Sequence, residues 1–340
     1  MITRTLDRQT VVIVTQELDP HAEAVMDHLS SWGVSCVRLH PASLLQDWAV
    51  AVDVDDLANS SIGVRSSARQ AVFGAVRSVY YRKPEAPAVG RATGEASLDR
   101  FLTEEANGAR DAVYQLLGSR WFNDPYVARR YAHKLYQLHV AKAVGLLTPR
   151  TLLTNLPDRA TEFVRQEPKQ RAVIKPLAGV SAVVDGRWRR CFCRKVTLAE
   201  LDAVRDTISA APLILQQYIP KRRDIRVTMI SDTLVACAIY SQDVPGATDD
   251  WRTVDVDRLR HEIITLPSQL VDQLRHLHAH FRVPFGAIDL VEDPDGRYWF
   301  LEDNLNGQWL WIEHVTGYPL AKIMAGALAG SAASAGDSVP

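Results

Sequence analysis

The chain has 340 residues, of which 47% are hydrophobic and 23% are charged, so it can bury a sizeable core and is expected to form two or three globular domains. Its formal net charge of −1 argues against a nucleic-acid partner and against a general attraction to acidic membranes. The N-terminus lacks the layout of a signal peptide and no apolar run is long enough to span a membrane, so a cytoplasmic protein without a membrane partner is expected.

The N-terminal third is predicted to contain an open α/β layer. Residues 11–15 have the composition of a buried strand, Asp19 and Pro20 can begin a helix, Gly33 can end it, and residues 34–39 can form the next strand. No glycine-rich fingerprint follows the first strand, so a dinucleotide site is not expected there. The other elements predicted in this part are strands near residues 49–54, 61–65 and 76–82 and a helix over residues 97–117.

A second long helix is predicted to begin at Asn123 or Asp124, to have Pro125 in its first turn, and to end at Gly145. Lys134 lies at the edge of the apolar stripe of this helix, and from there its amine can reach a neighbouring cleft. An ordinary surface lysine with a buried stem is the alternative on this pattern alone.

Lys175 stands near the end of a short apolar strand predicted over residues 172–176, which would direct the ammonium group out of a sheet edge. The turn-rich stretch that follows contains Gly179, Ser181 and Gly186. Such a stretch is compatible with a flap whose backbone N–H groups cover phosphates, and an ordinary hairpin is the alternative.

Arg226 lies inside a predicted antiparallel strand pair, residues 225–230 and 234–240, which follows another buried strand at residues 213–219. A guanidinium among apolar side chains requires an anionic partner, because burying it unpaired is costly. Asp224 lies on the same face of the strand and is one predicted partner. A phosphoryl group or a carboxylate, bound in bidentate fashion, is the other.

Residues 285–304 are predicted to form a β-hairpin, because apolar and aromatic runs flank the turn residues 293–296. With a four-residue loop, the alternation of side chains places Asp289, Glu302 and Asn304 on one face. Oxygen ligands of this kind suit Mg²⁺, which usually shares its coordination shell with substrate phosphates. The sequence therefore predicts a magnesium site beside a nucleotide, with a solvated acidic hairpin as the alternative.

Three closely spaced histidines and a final helix complete the C-terminal part. His276, His278 and His280 lie on a predicted amphipathic helix and are expected at its surface rather than in a zinc site. The final helix is predicted over residues 319–328, and the small-residue tail 330–340 is expected to be disordered.

Taken in chain order, these features resemble those of ATP-grasp carboxylate–amine ligases. The residues that support the resemblance are Lys134, Lys175, the strand LILQQYI, Asp224, Arg226, Asp289, Glu302 and Asn304. The sequence is closer still to the ATP-grasp ribosomal peptide maturases that make graspetides, the side-chain-cyclised peptides of the microviridin type. The similar stretches are YYRKP, WFNDPYVARRYAHKLYQLHVAKAVGLLTPRTLLTN, LQQYIPKRRDIRV, SQ followed by DWR, and NLNGQWLWIE.

Two residues depart from the pattern of that family. Asp303 stands between Glu302 and Asn304, where the family usually has an aliphatic residue, and Leu305 stands where proline normally precedes the second asparagine. In a regular strand Asp303 faces away from its two neighbours, so it is expected to disturb packing behind the metal site rather than to bind the metal.

The resemblance implies an α/β protein with an ATP-grasp fold, in which α+β subdomains flank an ATP cleft and an N-terminal open α/β pre-ATP-grasp domain precedes them. The implied N-terminal domain covers residues 1–120. A central subdomain with the phosphate flap and a leader-binding region covers residues 121–212, and a C-terminal subdomain with the magnesium site covers residues 213–329.

The resemblance also implies ATP and Mg²⁺ as cofactors and assigns roles to individual residues. The implied cofactor-binding residues are Lys134, Lys175, Gln216, Gln217, Tyr218, Ile219 and Asp224. The implied magnesium ligands are Asp289, Glu302 and Asn304. The implied catalytic residues are Arg226 for the transferred phosphoryl group, Lys175, and Arg252 for the substrate carboxylate.

The implied reaction is the ATP-dependent cyclisation of a ribosomally made precursor peptide. An Asp or Glu side chain would be activated as an acyl phosphate and attacked by a Ser or Thr hydroxyl or a Lys amine, with release of ADP and phosphate. The implied partners are this precursor, with leader and core, and a second copy in a homodimer. Arg187, Arg189, Arg190 and Arg194 lie where the leader would dock, with a solvated basic hairpin as the alternative.

Two other functions remain open on the sequence. One is an ATP-grasp amino-acid or peptide ligase of the glutamate ligase or glutathione synthetase type, which would add an amino acid to its substrate. The other is a non-catalytic module that binds ATP and peptide, which Asp303 and Leu305 motivate as departures from the family pattern.

Overall fold

The computed structural model describes residues 5–7, 10–65, 69–73, 76–87, 93–117, 120–177, 181–184, 187–190 and 193–330. Gly179 and Gly186 of the predicted flap and the predicted tail beyond residue 330 lie outside these ranges. The strands in the described ranges are β1 (Thr5–Asp7), β2 (Thr10–Thr15), β3 (Cys36–Leu39), β4 (Trp48–Ala51), β5 (Ser61–Val64), β6 (Arg69–Val72), β7 (Val76–Arg82), β8 (Arg120–Phe122), β9 (Thr151–Thr154), β10 (Arg171–Lys175), β11 (Ser181–Val184), β12 (Arg187–Arg190), β13 (Arg194–Thr197), β14 (Leu213–Gln217), β15 (Arg223–Ile230), β16 (Thr233–Ile239), β17 (His261–Ile264), β18 (Phe285–Glu292) and β19 (Tyr298–Asn304). The α-helices in the same ranges are α1 (Pro20–Ser31), α2 (Leu44–Asp47), α3 (Ala96–Leu117), α4 (Pro125–Tyr131), α5 (Lys134–Ala143), α6 (Pro157–Gln166), α7 (Leu198–Ala203), α8 (Ser268–Phe281), α9 (Leu310–Thr316) and α10 (Leu320–Ala329).

The predicted N-terminal βαβ unit is present in a parallel sheet. Strand β2 pairs with β3 on one side and with β7 on the other, and β8 pairs with β7, which gives the order β3-β2-β7-β8. Asp19 caps α1, because its side chain accepts a hydrogen bond from the backbone N–H of His21. Alternate side chains of β2 pack against α1 and against α3, so helices cover both faces of the sheet.

A smaller mixed sheet in the order β1-β6-β5-β4 packs beside the parallel one. Strands β4 and β5 confirm two of the predicted strands, whereas β1 and β6 were missed. These two strands have three and four residues. Their sequences, TLD and RQAV, lack the largely apolar composition of β4 (WAVA) and β5 (SIGV), which have four residues each.

The central part of the chain forms an antiparallel sheet in the order β13-β10-β14-β9. Helices α6 and α7 cover one face through Phe163, Val164 and Leu201, which pack against Ala172 of β10 and Leu215 of β14. Strand β10 confirms the strand predicted near Lys175, and it ends at that residue. Strands β11 and β12 form a separate hairpin.

The C-terminal part forms a five-stranded antiparallel sheet in the order β17-β16-β15-β18-β19. Helices α5 and α8 cover one face, where Val227 and Ile288 pack with Leu274 and Phe281. At one end of the other face, α9 and α10 cover the sheet and α10 also packs against α1, so the N-terminal layer is joined to this sheet through a common core. The uncovered end of this face is where the candidate site lies.

The helix predicted to end at Gly145 is two helices, α4 and α5. Asp124 caps α4 as predicted. Gln137 Nε2 donates a hydrogen bond to the carbonyl of Tyr131, the last residue of α4, and so satisfies a carbonyl left free by the break. The break places Lys134 in the first turn of a separate helix instead of in the middle of a long one.

The predicted hairpin of β18 and β19 is present, but its loop has five residues instead of four, since Glu292 pairs with Tyr298. With that loop alone, Glu302 would face the core. A β-bulge adds Leu301 to β19, shifts the register by one residue and brings Glu302 opposite Asp289. Asp289 and Glu302 therefore lie on one face of the hairpin, as predicted, but because the bulge offsets the longer loop.

In the described ranges, every helix is too short or too polar to cross a bilayer.

Candidate functional site

A cleft opens between the central sheet and the C-terminal sheet. Its walls are the ends of β10 and β14 on one side and the facing parts of β18 and β19 on the other. The sequence-predicted residues that line it are Lys175, Gln216, Gln217, Tyr218, Ile219, Asp224, Arg252, Asp289 and Glu302. The structure thus brings together residues that lie on or directly after five strands, β10, β14, β15, β18 and β19, and Arg252 from a connection.

Asp289 and Glu302 form a carboxylate pair on the floor of the cleft, directly opposite each other in the hairpin register. Burial raises the pKa of Asp289 to about 6; Arg226 opposes this shift and the charge of Glu302 adds to it. Burial also acts to raise the pKa of Glu302, but nearby cations, first among them Lys134, outweigh it and the pKa is lowered. The surrounding cations thus compensate the charge of Glu302 more fully than that of Asp289. A divalent cation would supply the positive charge that Asp289 lacks.

Two lysines approach the carboxylate pair from different elements. Lys134 Nζ, in the first turn of α5, lies 3.3 Å from Glu302 Oε2. Lys175 ends β10, and burial lowers the pKa of its ammonium group, although Cys193 and Glu302 act in the opposite direction. Amines so placed are suited to bind the phosphates of a nucleotide as point charges.

Arg226 is paired with Asp289 and not, as predicted, with Asp224. Its Nε lies 3.2 Å from Asp289 Oδ1. Asp224 is instead held by Lys221 Nζ, 3.1 Å away, and by the hydroxyl of Ser241. The reason is the register of β15 and β18, which sets Arg226 directly opposite Asp289, whereas Asp224 lies two residues away along the same strand, roughly 7 Å distant.

Arg252 forms a two-point ion pair with Asp250, with Nε 2.8 Å from Oδ1 and Nη2 2.7 Å from Oδ2. These hydrogen bonds raise the pKa of the guanidinium, and Asp250 itself is buried. The side chain of Arg252 nevertheless remains 42% exposed and lines the cleft. It is therefore pre-oriented by one carboxylate and still accessible to another anion.

The opposite end of the cleft is more apolar. Ile219 is buried, and the ring of half-buried Tyr218 has the ammonium of Lys195 4.5 Å from its centroid. Gln216 is buried and donates a hydrogen bond to a threonine of β9, and Gln217 accepts one from a backbone N–H. A flat heterocycle such as adenine fits this combination of apolar side chains and fixed polar groups.

Asn304 is not part of the cleft lining. It lies at the exposed end of β19, its Oδ1 accepts a hydrogen bond from the backbone N–H of Asn306, and it borders a different pocket with Leu305. Among the described residues no group of three or more His, Cys, Asp and Glu side chains is placed to hold a metal. The fit to Mg²⁺ therefore rests on the carboxylate pair, with phosphates and water completing the shell.

The strand that holds the carboxylates is fixed from behind by buried polar contacts. Asp303 points away from the cleft as predicted, and its Oδ2 lies 2.9 Å from Nε2 of His278, which is buried and not at the surface as expected. Gln137 both donates to the carbonyl and accepts from the N–H of Asp303. Gly286 leaves room for the pair, because a Cβ there would lie 2.4 Å from Asp303 Oδ1. The side-chain oxygens of Asp303 have no hydrogen-bond partner among the described residues, so the contact with His278 is one of distance only.

Several cleft residues were not singled out from the sequence. Cys193, Lys221 and Asp249 line the cleft, and Lys195 Nζ lies 2.6 Å from Asp249 Oδ1. Most of these residues lie in connections between strands, where periodicity gives no signal. The run of charged residues from Lys221 to Asp224, directly after a buried strand, is a sequence signal that could have found Lys221.

Comparison with curated proteins shows distant similarity to one kind of ligase. No family model matches the sequence. The chain is 26% identical over 234 residues to the alpha-aminoadipate–LysW ligase LysX of Sulfolobus acidocaldarius, an alignment that covers 64% of this chain and 78% of that protein.

Solved structures share nearly the whole architecture. The RiPP-associated ATP-grasp ligase of Chryseobacterium gregarium, in complex with ADP and a leader and core peptide, matches with a TM-score of 0.86 and 22% identity over 95% of this chain and 97% of that one. The macrocyclase MdnC of Microcystis aeruginosa, bound with the precursor peptide MdnA, matches with a TM-score of 0.82 and 24% identity over 95% and 100%. The ATP-grasp ligase PsnB, complexed with a phosphomimetic variant of a minimal precursor, Mg and ADP, gives 0.74 and 22% over 96% and 99%. The chain therefore has the predicted α/β architecture and the ATP-grasp fold.

Proposed function

We propose that the chain is an ADP-forming ATP-grasp ligase that joins side chains of a ribosomally made precursor peptide through ester or amide links. The observation that supports this most is a carboxylate pair that lines one cleft of an ATP-grasp fold together with Lys175. Lys134 and Arg226 do not line the cleft, but they contact the two carboxylates of the pair. Such a set neutralises the charge of a transferring phosphoryl group and contains no activated nucleophile of its own, so the reacting groups come from the substrates.

The nucleotide is proposed to lie along the cleft with its adenine between β14 and the C-terminal sheet. Tyr218 and Ile219 with their two preceding glutamines would line the base, and Asp224 would stand near the ribose end through Lys221. Lys134 and Lys175 would bind the phosphates. Asp289 and Glu302 would hold Mg²⁺, with Asn304 as the proposed third ligand; the ion would screen the charge between ATP and the incoming carboxylate.

The proposed reaction has two steps. A carboxylate oxygen of an Asp or Glu of the precursor attacks the γ-phosphorus of ATP, and ADP leaves with the electrons of the broken bond. A Ser or Thr hydroxyl or a Lys amine then attacks the acyl carbon, loses its proton, and displaces phosphate. Arg226, which contacts Asp289 of the carboxylate pair, would steady the phosphoryl oxygens in both steps, and Arg252, which is held by Asp250, would orient the substrate carboxylate.

The other features of the proposal follow the same family. The precursor would combine a leader with a core that contains Thr, Ser or Lys and Asp or Glu, and the leader would dock at the hairpin of β11 and β12, where Arg187 is exposed. Arg194 is less suited to this role, since it contacts Glu200 at 3.5 Å. We further propose a cytoplasmic homodimer whose functional divisions are residues 1–120, 121–212 and 213–329.

The similarity to LysX keeps an amino-acid ligase as a second candidate. In that case the same carboxylate activation would be followed by attack of a free amino acid, which adds mass to the substrate. The non-catalytic module receives less support, because Asp303 turns towards His278 and Leu305 is buried in the core, so neither departure from the family pattern enters the cleft.

Mass spectrometry of a precursor separates these functions. The probe is a candidate precursor peptide with Thr or Ser and Asp or Glu near its C-terminus, sought among the small open reading frames next to the gene and incubated with protein, ATP and Mg²⁺. We expect a loss of about 18 Da per link, one water, with the wild type and none with Glu302→Ala. Hydroxylamine cleaves esters and leaves amides. A gain of an amino-acid mass would favour the second candidate, and no change despite verified ATP and peptide binding would refute ligation.

A further inference from the structure

The N-terminal sheet has a crevice that the nucleotide cleft does not use. In the order β3-β2-β7-β8, the chain leaves β2 towards β3 on one side, while β7 lies on the other side, and α1 and α3 cover opposite faces. The direction of winding therefore reverses between β2 and β7. In open α/β sheets, ligands bind outside the carboxyl ends of the strands at such a reversal.

A pocket of about 180 Å³ lies at this reversal, and we refer to it as the switch-point pocket. Gln16 follows β2, and Arg82 and Lys83 lie at the end of β7. The opposite wall is formed by Gln308 and Trp311, from the segment directly after the carboxylate-bearing strand β19. The pocket thus lies between the N-terminal layer and the candidate catalytic sheet.

Arg82 gives the floor of this pocket a positive charge. It is 2% exposed, and its Nη1 donates a hydrogen bond to the carbonyl of Asn306, which ties β7 to the segment after β19. Its Nε lies 3.8 Å from Asp19 Oδ2 and has no hydrogen-bond partner among the described residues. Asp19 lines the same pocket and accepts hydrogen bonds from the Thr15 hydroxyl and the N–H of His21. Burial acts to raise its pKa, but these hydrogen bonds and Arg82 outweigh it and lower the pKa to about 2, so Asp19 stays ionised and offsets one positive charge of the pocket.

Lys83 adds a second cation to the pocket. The residue is exposed and lines the pocket, and within the described ranges it forms no ion pair and no hydrogen bond. Burial of its amine and then the charge of Arg82 lower its pKa, and Asp19 acts in the opposite direction. The pocket adjoins the nucleotide cleft, because Trp311 in its wall packs against Trp251 of the cleft lining, with ring centroids 5.1 Å apart.

We propose that the switch-point pocket binds an acidic side chain of the peptide substrate, with Lys83 as its main cation, and holds that side chain beside the nucleotide cleft. This inference rests on the proposed function for the identity of the substrate. The chemistry favours a carboxylate over a nucleotide: Asp19 in the lining offsets one of the two cations, Arg82 and Lys83, so one net positive charge is left for a single carboxylate. The volume is also below the roughly 300–1,000 Å³ of pockets for drug-sized ligands.

Three variants test the role of Lys83 in turnover. Lys83→Ala removes the charge, Lys83→Arg keeps it, and Lys169→Ala is the matched control, because Lys169 is also exposed and also has a left-handed backbone, with φ of 55° against 41°. We expect Lys83→Ala to raise the KM for the precursor by roughly tenfold or more, the size of a lost charged hydrogen bond, with the KM for ATP unchanged. Lys83→Arg should restore most of the loss. Equal KM values for Lys83→Ala and Lys169→Ala would overturn the proposal.

A binding experiment separates this inference from the proposed function. The protein is labelled with ¹⁵N-lysine, saturated with Mg²⁺ and ADP, and titrated with N-acetylglutamate N-methylamide, with the neutral glutamine analogue as control. The Lys83 resonance is assigned by its loss in Lys83→Arg. A shift of Lys83 but not of Lys169, with the acid only, supports the pocket even if no precursor is cyclised. No shift, or equal shifts with both analogues, refutes it even if cyclisation is observed.

Discussion

At the scale of single residues, the candidate site depends on how a few buried charges compensate one another. Arg226 is 6% exposed, and the same carboxylate that compensates it, Asp289, belongs to the proposed metal pair. If Asp289 held Mg²⁺, the guanidinium would be available to another anion. Arg226 is therefore both a structural ion-pair partner in the free protein and the proposed ligand of the phosphoryl group in the complex.

Replacement of Arg226 separates these two roles. Arg226→Ala is expected to bind Mg²⁺ and ADP with similar affinity but to lose roughly 10²–10³ in turnover, the usual cost of removing one preorganised electrostatic contact. Arg226→Lys keeps the charge without the fork of donors and should lie between the two. The measurement is a single-turnover rate with calorimetric ADP binding alongside. A rate for Arg226→Ala equal to that of the wild type would remove Arg226 from the mechanism.

The raised pKa of Asp289 makes the stability of the metal-free protein depend on pH. Its folded value of about 6 lies above the ordinary 3.8, so the folded state binds this proton more tightly and stability falls as pH rises from about 4 to 6. Asp289→Asn removes the effect, so the wild type should lose about 1–3 kcal/mol relative to the variant between pH 4 and pH 7. Urea unfolding at these pH values measures it. Parallel stability curves for the two proteins would contradict the shift.

At the scale of elements, the hairpin of β18 and β19 is held in place by contacts on its far side. Gln137 belongs to the same helix as Lys134, and its side chain hydrogen-bonds to both the backbone N–H and the carbonyl of Asp303. Asp303 stands between Glu302 and Asn304 in β19. Helix α5, which carries Lys134, and strand β19, which carries Glu302, are thus joined through the amide side chain of Gln137. Because the His278–Asp303 pair fixes the same residue from the other face, β19 has little freedom beside the cleft.

A double-mutant cycle tests whether the His278–Asp303 pair acts as a unit. His278→Leu and Asp303→Leu each leave a buried polar partner without its contact, so each should destabilise the fold by about 1–3 kcal/mol. The double variant replaces both by apolar groups and should recover much of that loss. Thermal or urea unfolding gives the coupling, with His276→Leu on the same helix as control. Additive losses would show that the two side chains do not interact energetically.

At the scale of the whole molecule, the sequence predicted the layers better than their contacts. The strand and helix periods were enough for the βαβ unit, the C-terminal hairpin and the cleft lysine at the end of β10. The partner of Arg226 depended on the register between β15 and β18, and the burial of His278 depended on Asp303 from a distant strand; neither is encoded locally. The prediction that Asp289 and Glu302 share a face of the hairpin is correct only because two features offset each other: the loop is one residue longer than predicted, and the bulge adds one residue to β19.

The central claim is that the cleft activates a peptide carboxylate by phosphoryl transfer from ATP. It is tested most directly with a precursor whose Asp and Glu carboxylates are labelled with ¹⁸O, incubated with protein, ATP and Mg²⁺ in ordinary water. If an acyl phosphate forms and is attacked at carbon, each link formed releases one phosphate that contains one ¹⁸O from the carboxylate. We expect this ratio of one labelled phosphate per link. Links formed with only unlabelled phosphate would contradict the mechanism.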